Sequence, residues 1–301
     1  MSDRTLAIGV AQFELKAEQS VDGFLAHLES VIAPAVAAGV ELVVLPELAS
    51  MGLLAATHDR PTTATIGAAM RDLLAPLWGE IAAGIGDLAA AHGVSVLGGT
   101  HCRVADDGSL RNTAILAHPD RSIVLQDKLH LTPQERHVGM VGGDDVMVAR
   151  VGPMRVGILI CADIQIPELG RHLGANGVDL VLNPSLTWNR RGVFRVRNGA
   201  HARASENQVF VAVSPLVGAS GLPRDAPLHA VGGALVCCPV DRTFGRNDGV
   251  LAASVEPAEH ALVVDLDLNV LAASRANPEI PGVKLQRPEL YEQLRDRRAC
   301  G

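Results

Sequence analysis

Three polar residues lie directly after apolar stretches that predict β-strands. Glu47 follows ELVVLP, Lys128 follows SIVLQD and Cys161 follows MRVGILI. In open α/β sheets, functional side chains gather just beyond the carboxyl ends of the strands. Cys161 is also predicted to begin a strand-to-helix turn, which can present a side chain to a cleft as a nucleophile elbow does. These three side chains are therefore the first candidates for chemistry.

A thiol, a carboxylate and an ammonium group can together open a C–N bond by way of a thioester. The Cys161 thiol needs a partner that takes its proton during attack. The Glu47 carboxylate can be that base if burial raises its pKa towards the working pH, and Lys128 can hold the oxyanion of acyl transfer. Singly, each has a structural explanation: an inert buried cysteine, a helix N-terminal charge and a solvated lysine. Their order and context together favour catalysis.

The composition excludes several classes of function. The chain has 301 residues, a formal net charge of −7, 48% hydrophobic residues and 3% aromatic residues. An acidic chain without a basic stripe argues against nucleic acid as a partner, since phosphate binding needs clustered Lys and Arg. No stretch approaches the ~18 uncharged apolar residues of a membrane span, and the N-terminus lacks the features of a secretory signal. Five irregularly spaced cysteines are predicted to be reduced thiols, which indicates a cytoplasmic protein.

Apolar runs alternate with helix-like segments, which indicates an α/β fold. Strands are predicted at 6–12, 41–46, 94–104, 112–117, 122–128, 154–160, 178–183, 209–214, 233–238 and 261–267. Helices are predicted at 21–38, 65–92, 167–174 and 193–208. Closely spaced strands favour antiparallel hairpins, and therefore two mixed sheets between helices rather than one doubly wound sheet.

The domain organisation is predicted from the same pattern. Residues 1–268 form one domain, and residues 269–301 form an irregular tail, rich in Pro and Arg, that packs on this domain or on a dimer partner. No G-x-G-x-x-G or P-loop motif is present, so the sequence carries no nucleotide-binding fingerprint.

Several segments resemble the nitrilase, or carbon–nitrogen hydrolase, superfamily over essentially the whole chain. They are VVLPELA around Glu47, QDKLHLTPQE at 126–135, VGILICADIQIPE at 156–168, NPS at 183–185, the opening strand at 7–13 and ARASENQVFVAV at 202–213. The later segments CPVDRTFGRNDG and LQRPELYEQL resemble a branch of nitrilase-like amidohydrolases often fused to an acetyltransferase domain. Because this chain starts at the nitrilase strand, we expect no such fusion partner here.

The resemblance implies a four-layer αββα sandwich that dimerises through its outer helices and hydrolyses a small amide without a cofactor or metal. Carried over to this chain, Cys161 is the nucleophile, Glu47 the general base and Lys128 the group that stabilises the tetrahedral intermediate. Glu135 matches a second glutamate that positions substrate and lysine, although a surface charge at a helix start is an equal explanation for it. The Ala162 N–H can serve the oxyanion hole, because that donor needs no side chain.

The chain departs from the family pattern after the nucleophile, where an aromatic residue is usual and Ala162 stands here. A roomier or differently shaped acyl site is expected, so relatives are a weak guide to the substrate. The sequence leaves open the roles of two further sets of polar residues. One is predicted to be a buried or interfacial network on one helix face: Arg203, Glu206 and Asn207. The other could bind a substrate carboxylate or form a solvated helix face: Arg190, Arg191 and Arg195.

Alternative functions stay open on the sequence alone. Within the superfamily, these are an N-carbamoyl amidohydrolase and a nitrilase. A non-catalytic relative that keeps the scaffold as a binding module is disfavoured by the intact Glu47, Lys128 and Cys161. A metallohydrolase is disfavoured because no H-x-H or H-E-x-x-H cluster is present.

Overall fold

The computed structural model describes residues 4–256 and 258–298. Within these residues, twelve strands, β1 to β12, span Thr5–Leu15, Leu42–Val44, Ser95–Val104, Leu110–Ala117, Ile123–Asp127, Val148–Val151, Met154–Ile158, Leu180–Ser185, Phe210–Gly218, Leu235–Cys237, Val250–Ala253 and His260–Asp267. The same described part of the chain contains eight α-helices, α1 to α8, which span Val21–Ala37, Ile66–Ala69, Trp78–His92, Pro133–His137, Pro167–Ala175, Arg190–Asn207, Leu268–Ala276 and Pro288–Arg298. One 3₁₀ segment, Ala49–Ala56, begins shortly after Glu47, and another, Cys161–Gln165, begins at Cys161 itself.

The strands form two six-stranded mixed sheets that join at one place. The first sheet has the order β5-β4-β3-β2-β1-β12, and the second has the order β6-β7-β8-β9-β10-β11. The end of β1 pairs in parallel with the end of β9, which links the two sheets. Parallel pairs occupy the centre of each sheet, whereas hairpins such as β3–β4 and β6–β7 lie outside them.

Alternation along the strands separates two cores. Val44 of β2 belongs to the core between the sheets, which also contains Val156 of β7. Its neighbour Val43 points the other way, into a second core with Phe24 of α1 and Ile85 of α3, as the period of two in a strand requires. Helices α5 and α6 pack on the second sheet. These layers confirm the predicted αββα sandwich.

The helix predicted at 65–92 is interrupted in the structure. It consists of α2, a π turn, a 3₁₀ turn and α3, and the break falls around Pro76, which has no N–H to donate to a helical hydrogen bond. By length and composition alone, the 27 residues of 66–92 could cross a membrane, but one such segment is weak evidence for a membrane span. Within α3, Ile81, Ile85 and Ala89 are buried in the second core, so the apolar side of this helix has a partner within the domain.

The C-terminal segment predicted to be irregular contains α7 and α8, which corrects that prediction. Helix α7 is held on the domain by the buried Leu271 and by Arg275, whose Nη1 lies 2.6 Å from Asp179 Oδ1. Its N-cap is Asp267, whose carboxylate accepts from two backbone N–H groups. The boundary at residue 268 stays a prediction, and residues 299–301, including Cys300, lie outside the described residues.

Candidate active site

The three strand-end residues predicted from the sequence lie together at one edge of the sandwich. Glu47 follows β2, Lys128 follows β5 and Cys161 follows β7. Their exposed fractions are 2%, 2% and 6%. A charged side chain is rarely buried without a partner, so this depth requires that the charges compensate one another.

Cys161 lies at a strained turn. Its φ is +46°, in the left-handed region that non-glycine residues seldom adopt. Two anchors hold the turn: Asn183 Nδ2 donates to the carbonyls of Leu159 and Cys161, and Ser185 Oγ donates to Asn183 Oδ1 over 2.8 Å. The conformation aims the thiol at Leu186, whose carbonyl oxygen accepts from Sγ at 3.5 Å.

Glu47 is hydrogen-bonded to the lysine and lies beside the cysteine. Its Oε1 accepts from Lys128 Nζ at 2.7 Å, and its Oε2 accepts from the Leu186 N–H at 2.9 Å. The Cys161 thiol, whose Sγ donates to the Leu186 carbonyl, lies within range of the Glu47 charge. The backbone of Leu186 therefore bridges the thiol and the carboxylate.

Glu135 completes the charge cluster from the other side of Lys128. Its two carboxylate oxygens lie 2.9 and 2.8 Å from Lys128 Nζ. It also stands at the third position of α4 in a capping box with Thr132, whose N–H and hydroxyl donate to Oε2. Thus the residue is a helix-start charge and a lysine partner at once, but it is buried rather than on the surface.

Asp163 ties the cysteine turn to the segment that carries the lysine. Its Oδ1 accepts from the His130 N–H at 2.8 Å, and its Oδ2 accepts from the Leu129 N–H at 3.2 Å. Since Leu129 follows Lys128 directly, these bonds fix the distance between two candidate catalytic elements. Asp163 therefore has a structural role in positioning the candidate residues.

Sequence reasoning missed Asn112. This residue of β4 donates from Nδ2 to Glu47 Oε1 and to Glu135 Oε1, each at 2.9 Å. The available signal was an amide two residues before the apolar run 114–117, in a strand whose residues are all buried. Buried amides are almost always hydrogen-bonded, so its partners had to be polar and close.

Burial and pairing shift the pKa values of the cluster in different directions. Burial raises the pKa of Glu47 even against the opposing effect of Lys128. Burial also acts to lower the pKa of Lys128, but its acidic neighbours, Glu47 first, outweigh this and leave the pKa above its ordinary value. For Glu135, burial acts to raise the pKa and Lys128 outweighs it, so the net shift is downward. Lys128 is therefore a permanent cation and Glu47 the more basic carboxylate.

The Cys161 thiol is protonated at rest. Burial first, and then the charge of Glu47, raise the pKa of this thiol. Burial likewise raises the pKa of Cys102 and Cys237 to about 12 and that of Cys238 to about 11. All four thiols therefore have raised pKa values. Cys161 differs from the other three because it lies beside Glu47 and on a left-handed turn.

The Ala162 amide, directly after Cys161, is the candidate oxyanion donor. Ala162 is the second residue of the 3₁₀ turn Cys161–Gln165, and the first amides of a helical turn have no acceptor within it. Its side chain is a half-buried methyl group. A reacting carbonyl at Cys161 Sγ would thus meet one backbone donor from the turn and one ammonium from Lys128.

The two sets of polar residues whose roles the sequence left open lie in different environments. Arg203 and Asn207 are buried at the junction of α5, α6 and the cysteine turn, while Glu206 is exposed and pairs with Arg203 at 3.0 Å. The other set is exposed at the start of α6, as in a solvated helix face: Arg190, Arg191 and Arg195. A metal ion has little room in the cluster, because Lys128 Nζ already occupies the space between the two carboxylates.

Removing the lysine should destabilise the fold. We expect Lys128→Met to lower the free energy of unfolding by about 3–5 kcal/mol, because Glu47 and Glu135 are left buried without a counter-charge. Urea denaturation at neutral pH measures this. The triple variant Lys128→Met, Glu47→Gln, Glu135→Gln should regain much of the loss, since no buried charge remains. Equal unfolding free energies for the single and triple variants would contradict the ion-pair explanation.

The chain is similar to a known family and to several known proteins. The family model for carbon-nitrogen hydrolases matches residues 7–293. The chain is 31% identical over 288 residues to "Probable hydrolase YhcX" of Bacillus subtilis, covering 94% of this chain and 54% of that protein. It is 28% identical over 263 residues to "Nitrilase" of Pyrococcus abyssi, covering 87% and 90%. The chain thus spans about half the length of the first of these relatives.

Among solved structures, an amidase from Nesterenkonia sp. superposes with a TM-score of 0.76 at 21% identity, covering 98% of this chain and 97% of that one. At this identity the likeness establishes the fold alone. The family model, in contrast, covers nearly the whole described chain, including all three strand-end motifs. By its sequence from residue 7 to residue 293, the chain belongs to the carbon-nitrogen hydrolase family.

Proposed function

We propose that this protein hydrolyses the C–N bond of a small amide through a thioester on Cys161, without a cofactor. One observation carries the proposal. A buried thiol on a left-handed turn lies beside a buried carboxylate, Glu47, which the Leu186 backbone joins to it and which is paired at 2.7 Å with Lys128. A nucleophile, a base and a cation in one water-poor site are the parts that acyl transfer needs.

In the first half-reaction, Cys161 Sγ attacks the amide carbonyl while Glu47 takes the thiol proton. The oxyanion is held by the Ala162 N–H and Lys128. Before substrate binds, three hydrogen bonds from Lys128 Nζ to carboxylate oxygens can use all three of its protons. The oxyanion therefore takes the place of one hydrogen bond to Glu135. Glu47 then gives its proton to the leaving nitrogen, the C–N bond breaks, and ammonia or an amine departs.

In the second half-reaction, water attacks the thioester carbonyl. Glu47 accepts a proton from this water and returns it to the sulfur as the C–S bond breaks. The products are a carboxylic acid and the free Cys161 thiol. One carboxylate therefore serves as base and acid in turn, which suits a group whose pKa burial raises towards neutrality.

The names of related proteins support an amidase. A segment of 191 residues is 32% identical to "(R)-stereoselective amidase" of a Pseudomonas species, and 230 residues are 27% identical to "Omega-amidase NIT2" of Xenopus tropicalis. A mutant of the Nesterenkonia amidase is described with acrylamide added at its active site cysteine. Proteins named for a nitrilase activity also match, so an N-carbamoyl amidohydrolase and a nitrilase are the rival activities, and a non-catalytic binding protein is the rival class.

The test is ammonia release across small ω-amides, N-carbamoyl compounds and nitriles, together with intact-protein mass spectrometry. We expect turnover of simple amides and a mass gain at Cys161 equal to the acyl group. Turnover of N-carbamoyl compounds or nitriles alone would replace the amidase proposal with one of its rivals. No turnover and no acyl-enzyme on any of the panel would favour the binding protein.

The dependence of kcat/KM on pH should have an acid limb above the ordinary range of a glutamate, about 4.3. Glu47 acts as a base only when ionised, and burial raises its pKa, so activity falls as the pH falls through this raised value. Glu135 does not set the limb, because its pKa is shifted downward. A rate profile from pH 4 to 9 measures this, and a limb at or below ordinary glutamate values would contradict the assignment of Glu47 as the buried base.

The homodimer and the cytoplasmic location predicted from the sequence stay proposals. Helix α6 exposes 56% of Phe194 on its outer side, an apolar ring that a second copy packed through the outer helices would bury. Light scattering of the purified protein measures the number of copies directly, and a monomer over the micromolar range would contradict the dimer.

A further inference from the structure

The charges of the cluster do not balance. Two carboxylates, Glu47 and Glu135, share one ammonium group, that of Lys128. All three side chains are almost completely buried, so water does little to screen the remaining negative charge. Like charges this close raise the pKa of one partner unless further donors stabilise both ionised forms.

Asn112 supplies such donors to both carboxylates. Its two Nδ2 hydrogens are divided between Glu47 Oε1 and Glu135 Oε1, at 2.9 Å each. Among the described residues, Asn112 and Lys128 are the two side chains that donate to both glutamates. An amide adds donors without adding charge, and its exposed fraction is 1%.

Thr100 fixes which way the Asn112 amide points. The Leu48 N–H donates to Thr100 Oγ1 at 2.9 Å, so the hydroxyl proton is directed to Asn112 Oδ1. With Oδ1 engaged as the acceptor, Nδ2 must face the carboxylates. Leu48 directly follows Glu47 and has a φ of +52°, so the same hydroxyl also anchors the backbone beside the proposed base.

We propose that Asn112 is a positioning residue that keeps Glu47 and Glu135 ionised side by side around Lys128, with its amide oriented by Thr100. This rests on the proposed role of Glu47 as the base for Cys161. Among the described contacts, the Asn112 side chain is hydrogen-bonded to Glu47, Glu135 and Thr100, and not to the Cys161 thiol. It acts through Glu47: by donating to Oε1 it favours the carboxylate form, and it leaves Oε2 to Leu186.

The test is the pH dependence of Cys161 alkylation by iodoacetamide, read by peptide mass spectrometry. This readout needs no knowledge of the substrate. The rate should rise with pH as Glu47 ionises, and loss of this limb in Glu47→Gln assigns it. In Asn112→Leu, which is similar in shape but has no donors, we expect the midpoint to move upward by about one pH unit and the rate below it to fall about tenfold.

Three further variants separate positioning from folding. Asn112→Ser keeps a polar group but is too short to bridge both carboxylates, so it should shift the midpoint in the same direction if Asn112→Leu does not fold. Thr100→Val should give a smaller upward shift, and Thr100→Ser, which keeps the hydroxyl, should return the midpoint to the wild-type value. Thr113→Val removes the neighbouring hydroxyl of β4, which faces Asp127, and should leave the midpoint unchanged.

The outcomes are distinct. Folded Asn112 variants with the wild-type midpoint would overturn the inference, as would a Thr113→Val shift equal to theirs. If the midpoint moves as expected but the protein hydrolyses none of the panel compounds, then the inference about Asn112 and Glu47 stands and the proposed amidase activity fails.

Discussion

Cys161→Ala is expected to reduce amide turnover by at least about a thousandfold, with the fold retained. No thioester can form without the sulfur, and water in the same site lacks the nucleophilicity of a thiol. The smaller side chain also fits the turn, because the left-handed backbone is imposed by Asn183, Asp163 and the flanking strands and not by the thiol. Initial rates with the best panel amide, and thermal melting of both proteins, measure the two parts of the prediction.

The matched control is Cys238→Ala, which removes another buried thiol from the same domain. Its pKa is raised to about 11 by burial, and the described contacts place no catalytic base beside it. We expect Cys238→Ala to keep wild-type kcat and to form the acyl-enzyme. Measurable turnover in Cys161→Ala at a comparable rate would rule out covalent catalysis at this residue.

Glu47→Gln is expected to reduce kcat by about 100- to 10,000-fold. The amide oxygen of glutamine can replace either Oε1, which accepts from Lys128 and Asn112, or Oε2, which accepts from the Leu186 N–H, but not both, and the amide cannot take up the thiol proton. Because the pKa of the Cys161 thiol is raised, thiolate cannot form at neutral pH without that base. Pre-steady-state rates of acylation, measured as the burst of released amine, locate the lost step.

Glu259→Gln serves as the control for loss of a partly buried carboxylate. Glu259 Oε2 lies 2.8 Å from His27 Nε2, on the loop that precedes β12 and outside the cluster. We expect this variant to keep its acylation rate, with any effect confined to stability. If Glu47→Gln acylates as fast as Glu259→Gln, then another group takes the thiol proton and the mechanism proposed here is wrong.

Local patterns in the sequence predicted much of the framework. Short continuous apolar runs located β1, β2, β7 and β8 to within a few residues, because strands covered on both faces carry apolar side chains at nearly every position. The hairpin spacing predicted the mixed sheets. The sequence did not predict the short strands β6 and β11. Each has four residues at a sheet edge, most of them only half-buried, which give too weak an apolar pattern.

The C-terminal helices were missed for a related reason. Helix α8 has a polar sequence, PELYEQLRDRR, without a clear apolar stripe. Helix α7 carries only nine residues, and its stability comes from contacts such as Arg275 with Asp179, which lie far apart in the chain. Isolated helices of this length are marginal in water, so propensity alone gives no reliable prediction.

Local sequence patterns identify the candidate nucleophile, carboxylate and lysine, because each residue type stands at the end of an apolar strand within its motif. The contacts that join them depend on the packing of the whole chain. The bonds from Glu47 to Lys128 and to Leu186 span 81 and 139 residues, and no local pattern encodes a contact across that separation. The left-handed backbone of Cys161, the shared amide of Asn112 and the pKa shifts all depend on burial, which arises when the two sheets pack and exclude water.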